Sequence, residues 1–177
     1  MKNPTSFKIL PFFVFPLLFS FPFFLRFGIL TGDCLSGLLF LIGMYLGSLL
    51  LYADEQWLYD FYKEQESEVV HKQEQPSFSP RLITRSALFL LALIPLTIFV
   101  VTSSGSLLGF GMILGIQLGL VIEIWTYWKK SAQLQLTKIF QSRFLYDLKV
   151  GMSFKDIRLL AMGSTLFLVI SAILTLL

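Results

Sequence analysis

Five long apolar stretches constrain this chain more than any other feature of its sequence. A transmembrane α-helix needs about 20 consecutive, mainly apolar residues to cross the hydrocarbon core of a bilayer. The stretches that meet this requirement are Phe7–Leu25, Leu35–Ala53, Ser86–Thr102, Ser106–Trp125 and Leu159–Leu177. The third is the shortest and contains Pro95. We therefore expect an all-α, polytopic helical membrane protein with about five transmembrane helices.

The composition favours the same class of protein. Hydrophobic residues make up 55% of the chain and charged residues 14%, whereas soluble domains carry about 25% charged residues. A soluble fold of this length could not bury 19 Phe side chains without large exposed apolar patches. The single cysteine, Cys34, excludes an intrachain disulfide and any cysteine-based metal cluster. Asp33 stands where a lipoprotein cleavage site has a small residue, so we interpret Cys34 as a plain interfacial or packed thiol.

The basic residues predict the orientation of the chain. When five spans are drawn, all lysines and arginines except Arg26 fall on one side of the membrane. Cytoplasmic loops carry this excess of positive charge, so we expect a cytoplasmic N-terminus and an external C-terminus. The net charge of +3 is small, and no basic module with base-stacking aromatic residues lies outside the apolar stretches. We expect no nucleic-acid partner.

These features divide the chain into five parts. Residues 1–53 hold the first two spans, 81–128 the third and fourth, and 159–177 the fifth. Residues 54–80 form a polar helical segment that ends in the Pro-rich break PSFSP, and 129–158 form a basic amphipathic cytoplasmic segment.

We call residues 54–75 the polar arm. It contains no Gly or Pro and is expected to continue the second helix into the cytoplasm. Trp57, Phe61 and Tyr62 recur at helical spacing, which predicts an apolar face for a partner protein or the membrane interface. His71 is interpreted as part of a solvated helix face, because a metal site there would have only nearby carboxylates such as Glu68 as further ligands.

The basic segment combines an apolar stripe with positive charge. Leu136, Ile139, Phe140 and Phe144 form the stripe, and the basic side chains are Lys129, Lys130, Lys138 and Arg143. This pattern is typical of a helix that lies on an anionic membrane surface, with lipid headgroups as its partners. The same stripe would also serve a protein partner. Ser153 and Asp156 have the spacing of a capping box that begins the last span.

Glycines repeat every fourth residue in two spans. Gly111, Gly115 and Gly119 form one stripe in the fourth span, and Gly43 with Gly47 forms a GxxxG site in the second. Small residues at this spacing allow the backbones of two membrane helices to approach closely. We predict that these helices pack closely, either with each other or across the interface of a homo-oligomer.

Two polar residues of the fourth span are candidate site residues. Gln117 lies about opposite the glycine stripe, so we expect this helix to be contacted on two sides and to be central. Glu123 has two interpretations. It is either a partly hydrated carboxylate near Lys129 and Lys130, or a proton- or cation-handling group of a small transporter. The sequence contains no recognisable catalytic constellation, and we predict no catalytic, cofactor-binding or metal-binding residues.

The run RSALFLLALIPLTIFVVTSSGSLLGFG, residues 85–111, followed by the glycine-spaced helix and the basic segment, resembles a group of uncharacterised small multi-pass membrane proteins of reduced-genome candidate-phylum bacteria. The likeness covers about the last ninety residues of the chain. It implies no established activity. The location that we expect, the cell inner membrane, follows from the apolar spans and not from this resemblance. Members of that group often carry His and Asp where this chain has Gly119 and Glu123, so a metal-dependent function does not carry over to this chain.

The sequence thus favours an integral membrane structural or assembly subunit. Glycine-rich helix faces would hold it together, and the polar arm would recruit a cytoplasmic or membrane protein. The alternative is a small transporter or channel component that uses Glu123 and Gln117. A membrane-embedded hydrolase is a distant third.

Overall fold

The structure is a computed structural model that describes residues 6–30, 32–69, 83–134, 145 and 153–176. Within these residues the chain is helical, without strands, and forms five α-helices: α1 (Ser6–Phe24), α2 (Cys34–Val69), α3 (Ala87–Phe99), α4 (Leu107–Leu134) and α5 (Phe154–Leu176). Short π-helices, Leu25–Leu30 and Val100–Ser104, extend α1 and α3. A single 3₁₀ turn, Ile83–Arg85, precedes α3. The predicted all-α class is confirmed for this part of the chain.

Three of the described helices are long and apolar enough to cross a membrane. Their apolar portions are Cys34–Asp54, Leu107–Lys129 and Phe154–Leu176. Val14–Leu30 and Ala87–Thr102 are apolar as well, but shorter over the residues considered. All five helices coincide with apolar stretches of the sequence.

The last helix begins at a reciprocal cap. The backbone N–H of Ser153 donates to Asp156 Oδ2 at 2.8 Å, and the N–H of Asp156 donates to Ser153 Oγ at 3.3 Å. These bonds satisfy donors at the helix N-terminus that have no partner within the helix. The predicted capping box is confirmed, and it places the start of α5 at Phe154, one turn before the apolar stretch begins.

Asp33 caps the start of α2. Its Oδ1 accepts hydrogen bonds from the backbone N–H groups of Leu35 and Ser36, and its Oδ2 accepts one from the Ser36 hydroxyl. The Ser36 hydroxyl, followed by the backbone donors, holds the pKa of the Asp33 carboxyl below its ordinary value. Cys34, the first residue of α2, is an exposed free thiol.

Glycines bring α2 and α4 into backbone contact. A Cβ atom added at Gly43, Gly47, Gly111 or Gly115 would lie only 2.1–2.2 Å from a carbonyl oxygen of the facing helix. Those four oxygens belong to Leu108, Met112, Phe40 and Met44, respectively. Only a hydrogen atom fits between the Cα atom of each glycine and the facing carbonyl oxygen. This arrangement is typical of Cα–H···O contacts between helices. The pairs advance along both helices in the same direction, so α2 and α4 run parallel.

Helix α4 lies at the centre of the bundle. In an apolar stretch of 18 residues within its candidate span, 67% of the residues are buried, compared with 39% in α2 and 22% in α5. On the side of α5, Trp125 Nε1 donates to Thr165 Oγ1 at 2.9 Å. On the side of α2, Ser48 Oγ donates to the carbonyl of Gly115 at 3.4 Å. The sequence-based expectation that this helix is contacted on more than one side is confirmed.

Aromatic packing attaches the first helix to the second. The rings of Phe23 and Phe40 are stacked with centroids 4.7 Å apart, and Phe27 contacts Phe40 at 5.9 Å. A Cβ atom at Gly37 would lie 3.1 Å from Gly28 Cα, so the two backbones also approach closely near the turn between these helices. The first helix therefore packs on α2 at the end that Asp33 caps.

Candidate functional site

The candidate site lies at the start of α3. Ser86 is the N-cap of this helix, and its hydroxyl oxygen accepts a hydrogen bond from the N–H of Phe89 at 3.1 Å. The cap ends the 3₁₀ turn at Arg85, the residue immediately before it. Arg85 is 0% exposed. An arginine buried to this degree requires compensating charges and hydrogen bonds.

Glu123 of α4 supplies the main partner. Arg85 Nε donates to Glu123 Oε2 at 2.8 Å, and Arg85 Nη2 donates to Glu123 Oε1 at 2.6 Å. The guanidinium thus binds both carboxylate oxygens, which is the strong bidentate arrangement for such a pair. Glu123 is only 7% exposed, so the pair is shielded from water.

Asp54 of α2 extends this pair to a third helix. Its Oδ2 lies 3.9 Å from Arg85 Nη1 and accepts hydrogen bonds from the Thr84 N–H, at 3.0 Å, and from the Thr84 hydroxyl. Arg85 Nη1 also donates to Thr84 Oγ1 at 3.4 Å. We call Asp54, Thr84, Arg85 and Glu123 the ion-pair cluster. It joins α2, α3 and α4 at one end of the bundle, with two carboxylates facing one guanidinium.

Leu145 is attached to the backbone of Arg85. Its N–H donates to the carbonyl of Arg85 at 3.0 Å, and its side chain is 6% exposed within the core that also contains Ile124 and Ile157. The residue has a φ of 56°. A leucine in this left-handed region costs about 1–3 kcal/mol and persists only where the surroundings hold it there. The hydrogen bond and the apolar contacts provide that restraint.

The structure corrects two interpretations of charged residues. Glu123 is not a partly hydrated carboxylate beside Lys129 and Lys130, because it is buried and bound to Arg85. Arg85 is not one of the free cytoplasmic charges that orient the chain, because its guanidinium lies inside the bundle. The orientation argument therefore depends on the other basic residues.

Leu145 also bears on the basic segment. Residues 129–158 were expected to form a surface helix, but α4 continues through Leu134 and Leu145 packs into the protein core. Lys129 is exposed near the end of α4. Lys138, Arg143 and the side chain of Lys130 lie outside the described residues, so the predicted membrane-surface role stays a prediction.

Gln117, the second candidate polar residue, is 3% exposed. Its Nε2 donates to Thr97 Oγ1 of α3 at 2.8 Å, and the Thr97 hydroxyl donates to the carbonyl of Leu93 at 2.6 Å. The amide oxygen of Gln117 is buried and has no hydrogen-bond partner among the described residues. Gln117 and Glu123 therefore belong to separate groups: Gln117 bonds to Thr97 within α3, and Glu123 to Arg85 just before that helix.

The remaining predicted residues are distributed between the bundle and the polar arm. Gly119 is buried on α4, one turn beyond Gly115. The helix backbone of α2 continues through Trp57, Phe61 and Tyr62. Their side chains lie outside the described part of the structure, and so does His71.

The sequence contained a signal for the Arg85–Glu123 pair. A carboxylate within an apolar span needs a partner, and Lys129 and Lys130 are its nearest basic neighbours in sequence. Arg85 stands at the start of the third span and Glu123 near the end of the fourth. In antiparallel neighbouring spans, these two positions lie at the same membrane depth. A comparison of the depths of Arg85 and Glu123 in their spans, rather than of their separation along the chain, would have identified the pair.

The ion-pair cluster is organised to hold helices together. Each carboxylate accepts hydrogen bonds from the turn that precedes α3, and Arg85 faces both. Among the residues that the structure describes, no group of three or more His, Cys, Asp or Glu side chains is arranged to bind a metal ion.

Comparisons of the chain with protein-family models, with curated proteins and with solved structures find no match. The resemblance noted from residues 85–111 therefore stays a prediction, and the functional argument depends on the geometry of this chain.

Proposed function

We propose that this protein is an integral membrane scaffold whose polar arm binds a cytoplasmic protein. The observation that carries the proposal is the unbroken helix α2, which runs from Cys34 to Val69 over 36 residues. At 1.5 Å per residue, such a helix is about 54 Å long, whereas the hydrocarbon core is about 30 Å thick. One helix thus provides both a membrane anchor and a projecting segment.

The ion-pair cluster supports this arrangement because it lies where the apolar part of α2 ends. The candidate span ends at Asp54, and the same residue accepts two hydrogen bonds from Thr84 and faces Arg85. Further into the membrane, the glycine contacts fix α2 against α4. The base of the arm is therefore held by two sets of contacts, so its direction relative to the bundle is defined.

The sequence of the arm supports a protein partner. Trp57, Phe61 and Tyr62 share one face of the helix, and aromatic side chains are common energetic anchors at protein interfaces. Because the basic residues predict a cytoplasmic location for the arm, we propose that its partner is a cytoplasmic protein or the cytoplasmic part of a membrane protein.

The transporter alternative has less support from the geometry. It uses Glu123 and Gln117 as the polar groups of an oligomeric pore, whereas Glu123 binds Arg85 through both oxygens and Gln117 binds Thr97. A carboxylate with a buried, bidentate countercharge is organised for structure rather than for proton exchange.

The experiment compares two triple variants of the arm. Trp57→Ala/Phe61→Ala/Tyr62→Ala removes the aromatic face, and Gln56→Ala/Lys63→Ala/Ser67→Ala truncates the opposite face of the same helix turns. The parent chain and both variants are crosslinked in intact cells and purified in detergent. Mass spectrometry then identifies a partner that is enriched in the sample of the parent chain. The affinity of that partner is then measured with both variants reconstituted in nanodiscs.

We expect the aromatic triple variant to lose at least about 2 kcal/mol of binding free energy, which is roughly a 30-fold loss of affinity. The opposite-face variant should bind like the parent. Equal binding by parent and aromatic variant would contradict the proposed role of the arm. Ion flux into liposomes that is abolished by Glu123→Gln, with α-helical content unchanged, would instead support the transporter.

A further inference from the structure

A cavity of about 450 Å³ lies between α3, α4 and α5. Helix α4 contributes Gln117 and Ile124 to its wall, α3 contributes Leu90 and Ile94, and α5 contributes Phe167. Its volume lies within the range of about 300–1,000 Å³ that is typical of small-molecule sites. Unlike the interface between α2 and α4, this region of the bundle is not filled by the side chains that the structure describes.

The wall of the cavity is almost entirely apolar. The polar side chains that line it are Gln117 and Ser164, and the Ser164 hydroxyl donates to the carbonyl of Ala161 at 3.0 Å. Gly163 also lines the cavity, and a Cβ atom added there would meet no atom within 4 Å. The side chain that glycine lacks leaves room for an occupant on the α5 side.

Gln117 is the polar group of this wall with unused hydrogen-bonding capacity. Because the Thr97 hydroxyl donates its hydrogen to Leu93, it offers Gln117 a lone pair and binds the amide Nε2. The amide Oε1 is then left as a buried acceptor with no hydrogen-bond partner in the described part of the chain. Native proteins rarely leave such an acceptor unsatisfied, because its lost hydration is not replaced.

The surroundings of the cavity define what can enter it. Leu91 and Leu159 line it and are 70% and 67% exposed on the apolar surface of the bundle. Leu145 lines it as well, near the ion-pair cluster. Along α5 the wall runs from Leu159 to Phe167, a rise of about 12 Å. An occupant from the membrane therefore has a long apolar body.

We propose that this cavity binds a lipophilic alcohol, a membrane-soluble molecule with an apolar body and one hydroxyl group. The body fills the space between α3 and α5. Gln117 Oε1 is enclosed by protein atoms in this structure, so the side chain rotates to present this oxygen to the hydroxyl, which then donates a hydrogen bond to it. A plain hydrocarbon chain would fill the same volume but would leave this acceptor unsatisfied. The site is independent of the polar arm and of the scaffold function proposed above.

The test uses decanol that carries a photoreactive diazirine at its tail, with the full chain in nanodiscs. Crosslinked peptides are identified by mass spectrometry, and unlabelled decanol and decane compete for the site. Gln117→Met removes the acceptor while retaining the length of the side chain. Gly163→Leu fills the cavity, and Ala92→Leu places a leucine at an exposed position of α3 that does not line the cavity.

In the parent chain we expect the probe to label residues that line the cavity. Unlabelled decanol should compete about fivefold better than decane, because one neutral hydrogen bond has about this effect on affinity. The two competitors should be equal with Gln117→Met, and labelling should be lost with Gly163→Leu but not with Ala92→Leu. Labelling that survives Gly163→Leu would overturn the site. Equal competition in the parent would overturn the role of Gln117. If Gln117→Met does not fold, these two comparisons still decide the proposal.

Discussion

At the scale of single residues, Arg85 shows how one charged side chain organises the end of a helical bundle. It is fully buried, yet its charge is balanced by Glu123 at 2.6 Å and by Asp54 at 3.9 Å. A buried ion pair adds little net stability compared with apolar residues of the same volume, but removal of one partner is costly. The main effect of the cluster is therefore to specify which helix ends meet.

This account predicts a large effect when the pair is broken. Arg85→Met leaves Glu123 buried without its countercharge, and we expect the free energy of unfolding to fall by about 3–5 kcal/mol. In Arg85→Met/Glu123→Leu most of this loss should be recovered, because Thr84 still donates two hydrogen bonds to Asp54. Denaturation by SDS in mixed micelles measures the free energy of unfolding of the parent chain, the single variant and the double variant.

Lys129→Met is the control for that comparison. Lys129 is exposed on α4, so its replacement should change the unfolding free energy by no more than about 0.5 kcal/mol. Equal losses for Arg85→Met and Lys129→Met would show that the buried pair has no special role.

At the scale of helices, the contact between α2 and α4 depends on four glycines. Their facing atoms are backbone carbonyl oxygens, which cannot rotate away as a side chain would. Between membrane helices, where lipid is as apolar as the side chains, such close backbone approach provides much of the association energy. The two helices therefore tolerate no added atom at these positions without moving apart.

The same substitution should have opposite effects on two helices. Gly111→Ala would place a Cβ 2.1 Å from Phe40 O, and we expect it to destabilise the protein by about 1–3 kcal/mol. Gly163→Ala meets no atom within 4 Å and should stabilise it by up to about 1 kcal/mol, because alanine favours helix over glycine. Denaturation in mixed micelles measures the free energy of unfolding of both variants. Changes of the same sign in the two variants would refute this description of the interface.

At the scale of the whole molecule, the parallel pair α2–α4 forms the core on which the other helices pack. Helix α1 attaches to α2 through Phe23 and Phe40, and α5 attaches to α4 through Trp125 and Thr165. Helix α3 joins both through the ion-pair cluster, and the cavity separates α3 from α5. The polar arm extends from the end of the core that carries the cluster.

The sequence predicts the elements of this fold better than their contacts. Apolar length and caps located the helices, and the Ser153–Asp156 spacing located the cap of α5. Glycine spacing indicated the faces of α2 and α4 but left open whether they meet each other. Sequence separation concealed the Arg85–Glu123 pair, because membrane depth, rather than distance along the chain, decides which charges meet.

The cavity was beyond sequence reasoning for a related physical reason. Its volume depends on how far apart α3 and α5 lie on α4, and no periodicity encodes that distance. Gly163 does not belong to a repeated glycine pattern in the sequence. It matters only because of the open space beside it in the structure.

The most direct measurement of the central claim, a membrane bundle with the polar arm on the cytoplasmic side, is cysteine labelling in intact cells. Cys34 is an exposed thiol at the opposite end of α2. A second protein carries Cys34→Ser and Ser67→Cys, which moves the thiol to the arm. We predict that a membrane-impermeant maleimide labels Cys34 from outside and labels the Ser67→Cys protein only after the membrane is permeabilised. Labelling of both thiols from the same side would contradict the account.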